Sequence, residues 1–132
     1  MDLGLNGKVV LISGSYRGTG AGTAKVMAQE GAIVAVHGHQ EGQAAAVAEE
    51  IRVDGGQAIE VHGNLLTTDG VESLVSAVEQ ECGPVEVLVN NYGAPAKTNW
   101  ADAAELWHEA WETNVVSGVR LTQRVLPSMK AR

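Results

Sequence analysis

The run Ser13-Gly14-Ser15-Tyr16-Arg17-Gly18-Thr19-Gly20 stands directly after the apolar stretch Lys8-Val9-Val10-Leu11-Ile12 and directly before a helix-like segment. Strand, glycine turn and helix start in that order form a dinucleotide-binding arrangement. Gly14 lets the chain leave the strand with a positive φ, Gly18 lets the backbone approach a pyrophosphate, and Gly20 lets the helix sit close on the sheet. The N-terminus of that helix then offers unpaired N–H groups and a partial positive charge to an anion.

The rest of the 132 residues repeats the alternation of strand-like and helix-like segments, which predicts an α/β fold with a doubly wound parallel sheet of the Rossmann type. Strands are expected near residues 8–12, 33–37, 58–62 and 86–89. The first helix is expected from about Gly18 to Glu30, with Gly31 as C-cap and Ala21, Ala24, Met27 and Ala28 on its buried side. A second runs from Glu41 to about Val53. A third opens at Asp69 with Glu72 as capping-box partner and ends at Gly83-Pro84. A fourth opens at Asp102 with Glu105 in the equivalent role and runs close to Arg132. Right-handed crossovers give the strand order 3-2-1-4. Val85, Val87, Leu88 and Val89 are apolar on both faces, the pattern of an interior strand, yet no later segment resembles a strand that could pair with them.

Four ordered landmarks carry a family resemblance. The spacing Gly14-x-x-x-Gly18-x-Gly20 resembles that of the short-chain dehydrogenase/reductase family. Asn90-Asn91-Tyr92-Gly93 falls where that family carries Asn-Asn-Ala-Gly. Trp107 precedes Asn114 in Asn114-Val-Val-Ser-Gly118, and Leu121-Thr122-Gln123 leads into Leu126-Pro127-Ser128-Met129-Lys130. The resemblance implies an oxidoreductase that moves hydride between a nicotinamide nucleotide and a carbonyl or alcohol, with ketone or 3-oxoacyl reduction as the lineage's usual chemistry. It also implies a cofactor site made by residues Gly14 to Gly20, by Asn91 and Gly93, and by Asn64-Leu65 as an adenine clamp, Asn64 standing where Asp is common. Tyr92 replaces the usual Ala; it either crowds the groove or packs at its rim.

Of the family's catalytic set, the resemblance places only Asn114 here, as support for a proton path. Its plain alternative is a polar residue that kinks a helix and satisfies a neighbouring backbone group. The family's Ser and Tyr-x-x-x-Lys fall beyond Arg132, and neither Tyr16 nor Tyr92 has a Lys four residues on. The expectation is therefore a one-domain, catalytically incomplete N-terminal portion of an enzyme. The alternative is a noncatalytic dinucleotide-binding module, or one piece of a split protein, that acts through assembly.

NAD-preferring relatives place an Asp at the end of the second strand, but here the sequence reads Val36-His37-Gly38-His39. Arg17 stands where NADP-preferring relatives use a guanidinium on the 2′-phosphate, and His39 beside it is a weaker second partner. NADP is therefore expected, with NAD as the alternative. His37, His39 and His62 fall at adjacent strand ends, but no Cys or carboxylate completes a ligand set, so no metal is expected. A P-loop nucleotide hydrolase is disfavoured because Gly20 is not followed by the Lys and Ser/Thr that hold phosphate and metal. A methyltransferase would need an acid near the end of the second strand.

A net charge of −7 argues against a nucleic-acid surface, and the absence of a long apolar run argues against a membrane span. Cys82 alone permits no internal disulfide and fits a reducing cytoplasm. Residues 1 to 7 lack a signal-peptide pattern. The helical spacing of Trp107 and Trp111 points to packing or to a subunit surface, and a homo-oligomer is expected from the resemblance. Cys82 is expected to be a buried small residue, and Glu49, Glu50, Glu109 and Glu112 to be solvated.

Overall fold

In a computed structural model, which describes residues 1–95 and 99–132, the chain is a sheet between two helical layers. Its elements are β1 (Val9–Ile12), α1 (Gly18–Gln29), β2 (Ile33–Gly38), α2 (Ala45–Val53), β3 (Gln57–His62), α3 (Thr68–Cys82), β4 (Val87–Val89), α4 (Ala104–Trp111), a π-helical turn (Glu112–Val116) and α5 (Ser117–Lys130). The strands are parallel and ordered β3-β2-β1-β4, as the crossovers require.

Side chains alternate between the faces of a strand, so β1 feeds both layers. Val10 and Ile12 join Val34 and Val36 against Ala24 and Ala28 of α1 and Ala48 and Ile51 of α2. Leu11, set in register between Ala35 of β2 and Leu88 of β4, faces the other way, into Leu74 and Val78 of α3 and Leu121 and Val125 of α5. Every residue of β1 is buried, which is why the sequence there is a continuous apolar run rather than an alternating one. β4 is different. Its residues are all half-buried, because among the described residues it pairs with β1 alone.

Three helix starts differ from the sequence expectation. α2 begins at Ala45, not Glu41, because the Gln43 side chain accepts from the N–H groups of His39 (2.8 Å) and Gln40 (3.2 Å) and holds the preceding residues in a turn. α3 is capped by Thr67, whose hydroxyl accepts from the Gly70 N–H at 3.0 Å, and Asp69 lies inside the helix. Glu72 forms no capping box; its carboxylate is held by Arg124 of α5 and the Ser76 hydroxyl. Asp102 accepts from the Asn99 N–H (2.6 Å) rather than capping a helix, and the expected single fourth helix is α4, the π turn and α5 in succession.

Arg124 reaches Glu72 and Glu79 together, and Arg120 bridges Glu112 and the Leu65 carbonyl, so α5 is tied to α3 and to the end of β3. Trp100, Trp107 and Trp111 are exposed rather than packed into the core, and the Trp100 and Trp107 rings lie against each other, centroids 5.8 Å apart. Cys82 is half-buried rather than buried, and that burial pushes its thiol pKa up. Glu50 pairs with Lys25, Glu49 with Arg52 and Glu112 with Arg120. No helix among the described residues is long and apolar enough to cross a membrane.

Candidate functional site

β1 ends in a turn that the fold fastens from three sides. The Ser13 hydroxyl accepts from the N–H groups of Asn91 and Tyr92, both at 3.0 Å, while the Asn91 carboxamide donates to the carbonyls of Ser13 (3.0 Å) and Gly14 (3.2 Å). Ser15 is fully buried; its hydroxyl donates to the Ile12 carbonyl (2.7 Å) and accepts from the His37 N–H (2.9 Å). The turn is thereby joined to β4 on one side and β2 on the other.

His37 completes this frame. Its Nδ1 accepts from the Gly14 N–H at 2.9 Å, which requires an unprotonated Nδ1, and its Nε2 donates to the Gly63 carbonyl at 2.9 Å. One neutral imidazole thus struts the carboxyl ends of β1, β2 and β3. Burial lowers its pKa to about 4, opposed by the Gly63 bond and aided by the nearby His39 and His62. With both ring nitrogens engaged by backbone, His37 has no lone pair free for a metal.

The glycines divide the labour. Gly14 and Gly18 both sit at positive φ, +63° and +59°. A Cβ on Gly18 would meet nothing within 4 Å, so its backbone lies open, whereas a Cβ on Gly20 would come within 2.7 Å of the Gly14 carbonyl and 2.8 Å of the Ser15 Cα. α1 starts with no side-chain cap and no acid in its first turn, so its first N–H groups have no side-chain acceptor. A cleft of about 410 Å³ opens above them, lined by Gly14, Tyr16, Arg17, Gly18, Thr19, His39, Asn91, Tyr92, Gly93 and Ala94. Arg17 is exposed in extended backbone, its guanidinium 5.1 Å from the Tyr16 ring centroid, and it has no ion-pair partner among the described residues.

The structure therefore brings Gly14, Tyr16, Arg17, Gly18, Thr19, His39, Asn91 and Gly93 to one cleft. Gly20 and Ser15 stand behind it as supports. Asn64 and Leu65 follow β3 and do not line it: the Asn64 carboxamide oxygen accepts from the Leu66 N–H (2.9 Å), and the Leu65 side chain is buried in the α3 and α5 layer. Asn114 lies in the π turn, against the Gly93–Ala94 wall of the cleft but not among its lining residues. Its oxygen accepts from the Ala94 N–H and its Nδ2 donates to the Ala110 carbonyl, both at 2.9 Å, so it staples the helical layer to the segment after β4. It lines a second, shallower hollow of about 400 Å³ with Asn90, Val115 and Thr122.

Sequence reasoning missed the struts. His37 was visible only as a weak metal candidate, but a lone His inside an otherwise apolar interior strand needs polar partners, and strand ends are where unpaired backbone groups stand.

A parallel sheet ordered 3-2-1-4, with a glycine turn between its first strand and first helix, is a Rossmann-type fold. The short chain dehydrogenase family model matches residues 8–132, and the chain belongs to that family. It is 38% identical over 136 residues to an uncharacterized oxidoreductase, YvrD, of Bacillus subtilis, covering 100% of this chain and 50% of the relative. It is 30% identical to the 3-oxoacyl-[acyl-carrier-protein] reductase FabG of Vibrio harveyi, covering 96% of this chain and 51% of that protein. Among solved structures, L-sorbose reductase from Gluconobacter frateurii, complexed with NADPH and L-sorbose, superposes with a TM-score of 0.90 at 34% identity, over 100% of this chain and 51% of that one. The chain spans about half the length of the relatives it matches.

Proposed function

We propose that this chain binds NADP(H) and serves an oxidoreductase that transfers hydride between that nucleotide and a small carbonyl or alcohol substrate. The observation that carries the reading is the open Gly18 backbone beside an uncapped helix start: a built cradle for a diphosphate, with no acid in the first helical turn to compete for it. The backbone of Gly14 to Thr19 holds the diphosphate, and Asn91 and Gly93 border the groove beyond it. Bound there, the nicotinamide supplies or accepts the hydride. Asn114 acts as a positioning residue, fixing the segment after β4 through the Ala94 N–H.

NADP rather than NAD is favoured by two features. No carboxylate stands at the end of β2, where one would bind a ribose 2′-OH and repel a 2′-phosphate. Arg17 is exposed at the cleft with no ion-pair partner among the described residues, and a guanidinium forks onto a phosphate. The same reading puts the protein in a reducing cytoplasm, supported by its single Cys82. It also makes the protein a homo-oligomer, supported by the exposed ridge of Leu106, Trp107, Trp111, Val115 and Val119.

Calorimetric titration of the 132-residue protein with NADPH and NADH tests this. NADPH is expected to bind about tenfold or more tightly than NADH, and Arg17→Ala to remove most of that difference by weakening NADPH alone, as loss of a charge-assisted contact dictates. Failure of both nucleotides to bind would overturn the proposal.

A further inference from the structure

The cleft contains a residue that the phosphate cradle does not use. Tyr92 lies flat on His39, ring centroids 4.5 Å apart and planes 17° from parallel. His39 is the first residue past β2, at the point in a Rossmann crossover where the ribose of the adenosine half is held. Both rings line the cleft, so the phenol ring stands over the adenosine end of it. His39 Nε2 is out of contact with solvent and has no hydrogen-bond partner among the described residues. A buried imidazole nitrogen without a partner is an unfavourable arrangement that a polar ligand atom would relieve.

Freedom to move is confined to the ring. The Tyr92 N–H is held by the Ser13 hydroxyl at 3.0 Å, and the Tyr92 Cα lies 3.1 Å from where a Cβ on Gly14 would be. An adenine offers the same flat π face as an imidazole or a phenol, so one stack can replace another with little change in contact chemistry.

On the reading that the cleft takes a dinucleotide, we propose that Tyr92 is a built-in competitor for the adenosine half: it caps His39 in the free protein, and the nucleotide binds by turning the ring aside and giving His39 Nε2 a ribose 2′ substituent to hydrogen-bond. Tyr92 thereby sets the protein's affinity for the nucleotide, and a smaller residue at this position relieves the competition.

The test is titration of the wild type, Tyr92→Ala, Tyr92→Leu and Tyr92→Phe with NADPH, with adenosine 2′,5′-bisphosphate and with nicotinamide mononucleotide. Leu keeps an apolar body against the α3 layer, so the test survives if the Ala variant folds poorly. Both Ala and Leu are expected to bind NADPH and the bisphosphate about threefold to tenfold more tightly than wild type, the range that loss of one aromatic stack converts to. Phe, which keeps the stack, is expected to match wild type, and nicotinamide mononucleotide to show no difference among the four proteins. Equal or weaker binding of the bisphosphate by both Ala and Leu overturns the competitor role while leaving the nucleotide site standing. Absence of nucleotide binding by every variant overturns the site and the competitor role together.

Discussion

β1 has two neighbours in the sheet, and they are unlike. On one side β2 is buried along five of its six residues, and its one polar ring, His37, has both nitrogens bonded to backbone of adjoining segments. On the other side β4 is three half-buried residues long, and the helices that follow it present Trp107 and Trp111 to solvent. The cleft straddles the two. Its glycine turn belongs to the closed half, and its far wall, Tyr92 to Ala94, belongs to the open one. The half that must hold a fixed backbone geometry is the more tightly packed one, with both nitrogens of His37 engaged, while the far wall of the cleft sits where packing is looser.

Substitution across the register tests that contrast most strongly. Leu11 is fully buried between Ala35 and Leu88, so Leu11→Ala is expected to lower unfolding free energy by about 3 kcal/mol or more, through lost burial and a cavity the rigid sheet cannot close. Leu88→Ala, one strand over, removes the same atoms from a half-buried site and is expected to lower it by about half as much. Urea unfolding of the two variants would break the contrast if the losses were equal.

Acid comes next. The folded-state pKa of His37 is about 4 against 6.5 for the free group, so between those values the unfolded chain binds more protons and stability falls as pH falls. The contribution is whole above pH 6.5 and is lost progressively as pH drops toward about 4. Between pH 7.5 and pH 5 His37 is expected to account for a loss of roughly 2 kcal/mol in urea unfolding, and His37→Gln to remove most of the slope, the remainder coming from His39, whose pKa burial also lowers. That window lies above the one in which Glu72 and Glu86 contribute. Their carboxyls are held below the ordinary value by the Arg124 guanidinium and by the Val9 N–H respectively. The smallest effect is expected at the open side, where Trp111→Ser should change stability by less than about 0.5 kcal/mol in the same assay.

The same contrast decided what the sequence could reveal. Burial on both faces writes itself as an unbroken apolar run, so β1 and the strand order were legible, each strand falling within a residue of its expected bounds. The glycine turn was legible because only glycine tolerates the φ of Gly14 and Gly18 and the close approach at Gly20. Helix starts were less so, since Thr67, Asp69 and Asp102 all have side chains able to cap, and tertiary partners chose among them. Glu72 went to Arg124, 52 residues away, and Asp102 to Asn99. Nor was the π turn legible, because Glu112 to Val116 carries no Gly or Pro to mark the place where the helix takes in an extra residue. The stack of Tyr92 on His39 was beyond reach for another reason: it joins the ends of two strands that are not neighbours in the sheet.

The two N–H bonds accepted by the Ser13 hydroxyl bear on the speed of ligand capture. With the main chain at Asn91 and Tyr92 pinned to the end of β1, clearing the cleft takes a turn about side-chain torsions and no loop refolding. Even for a half-buried ring such a turn is complete far sooner than a nucleotide at micromolar concentration arrives by diffusion. Stopped-flow traces of association will therefore be single exponentials whose rate climbs linearly with nucleotide concentration, without the plateau that a slow opening step imposes.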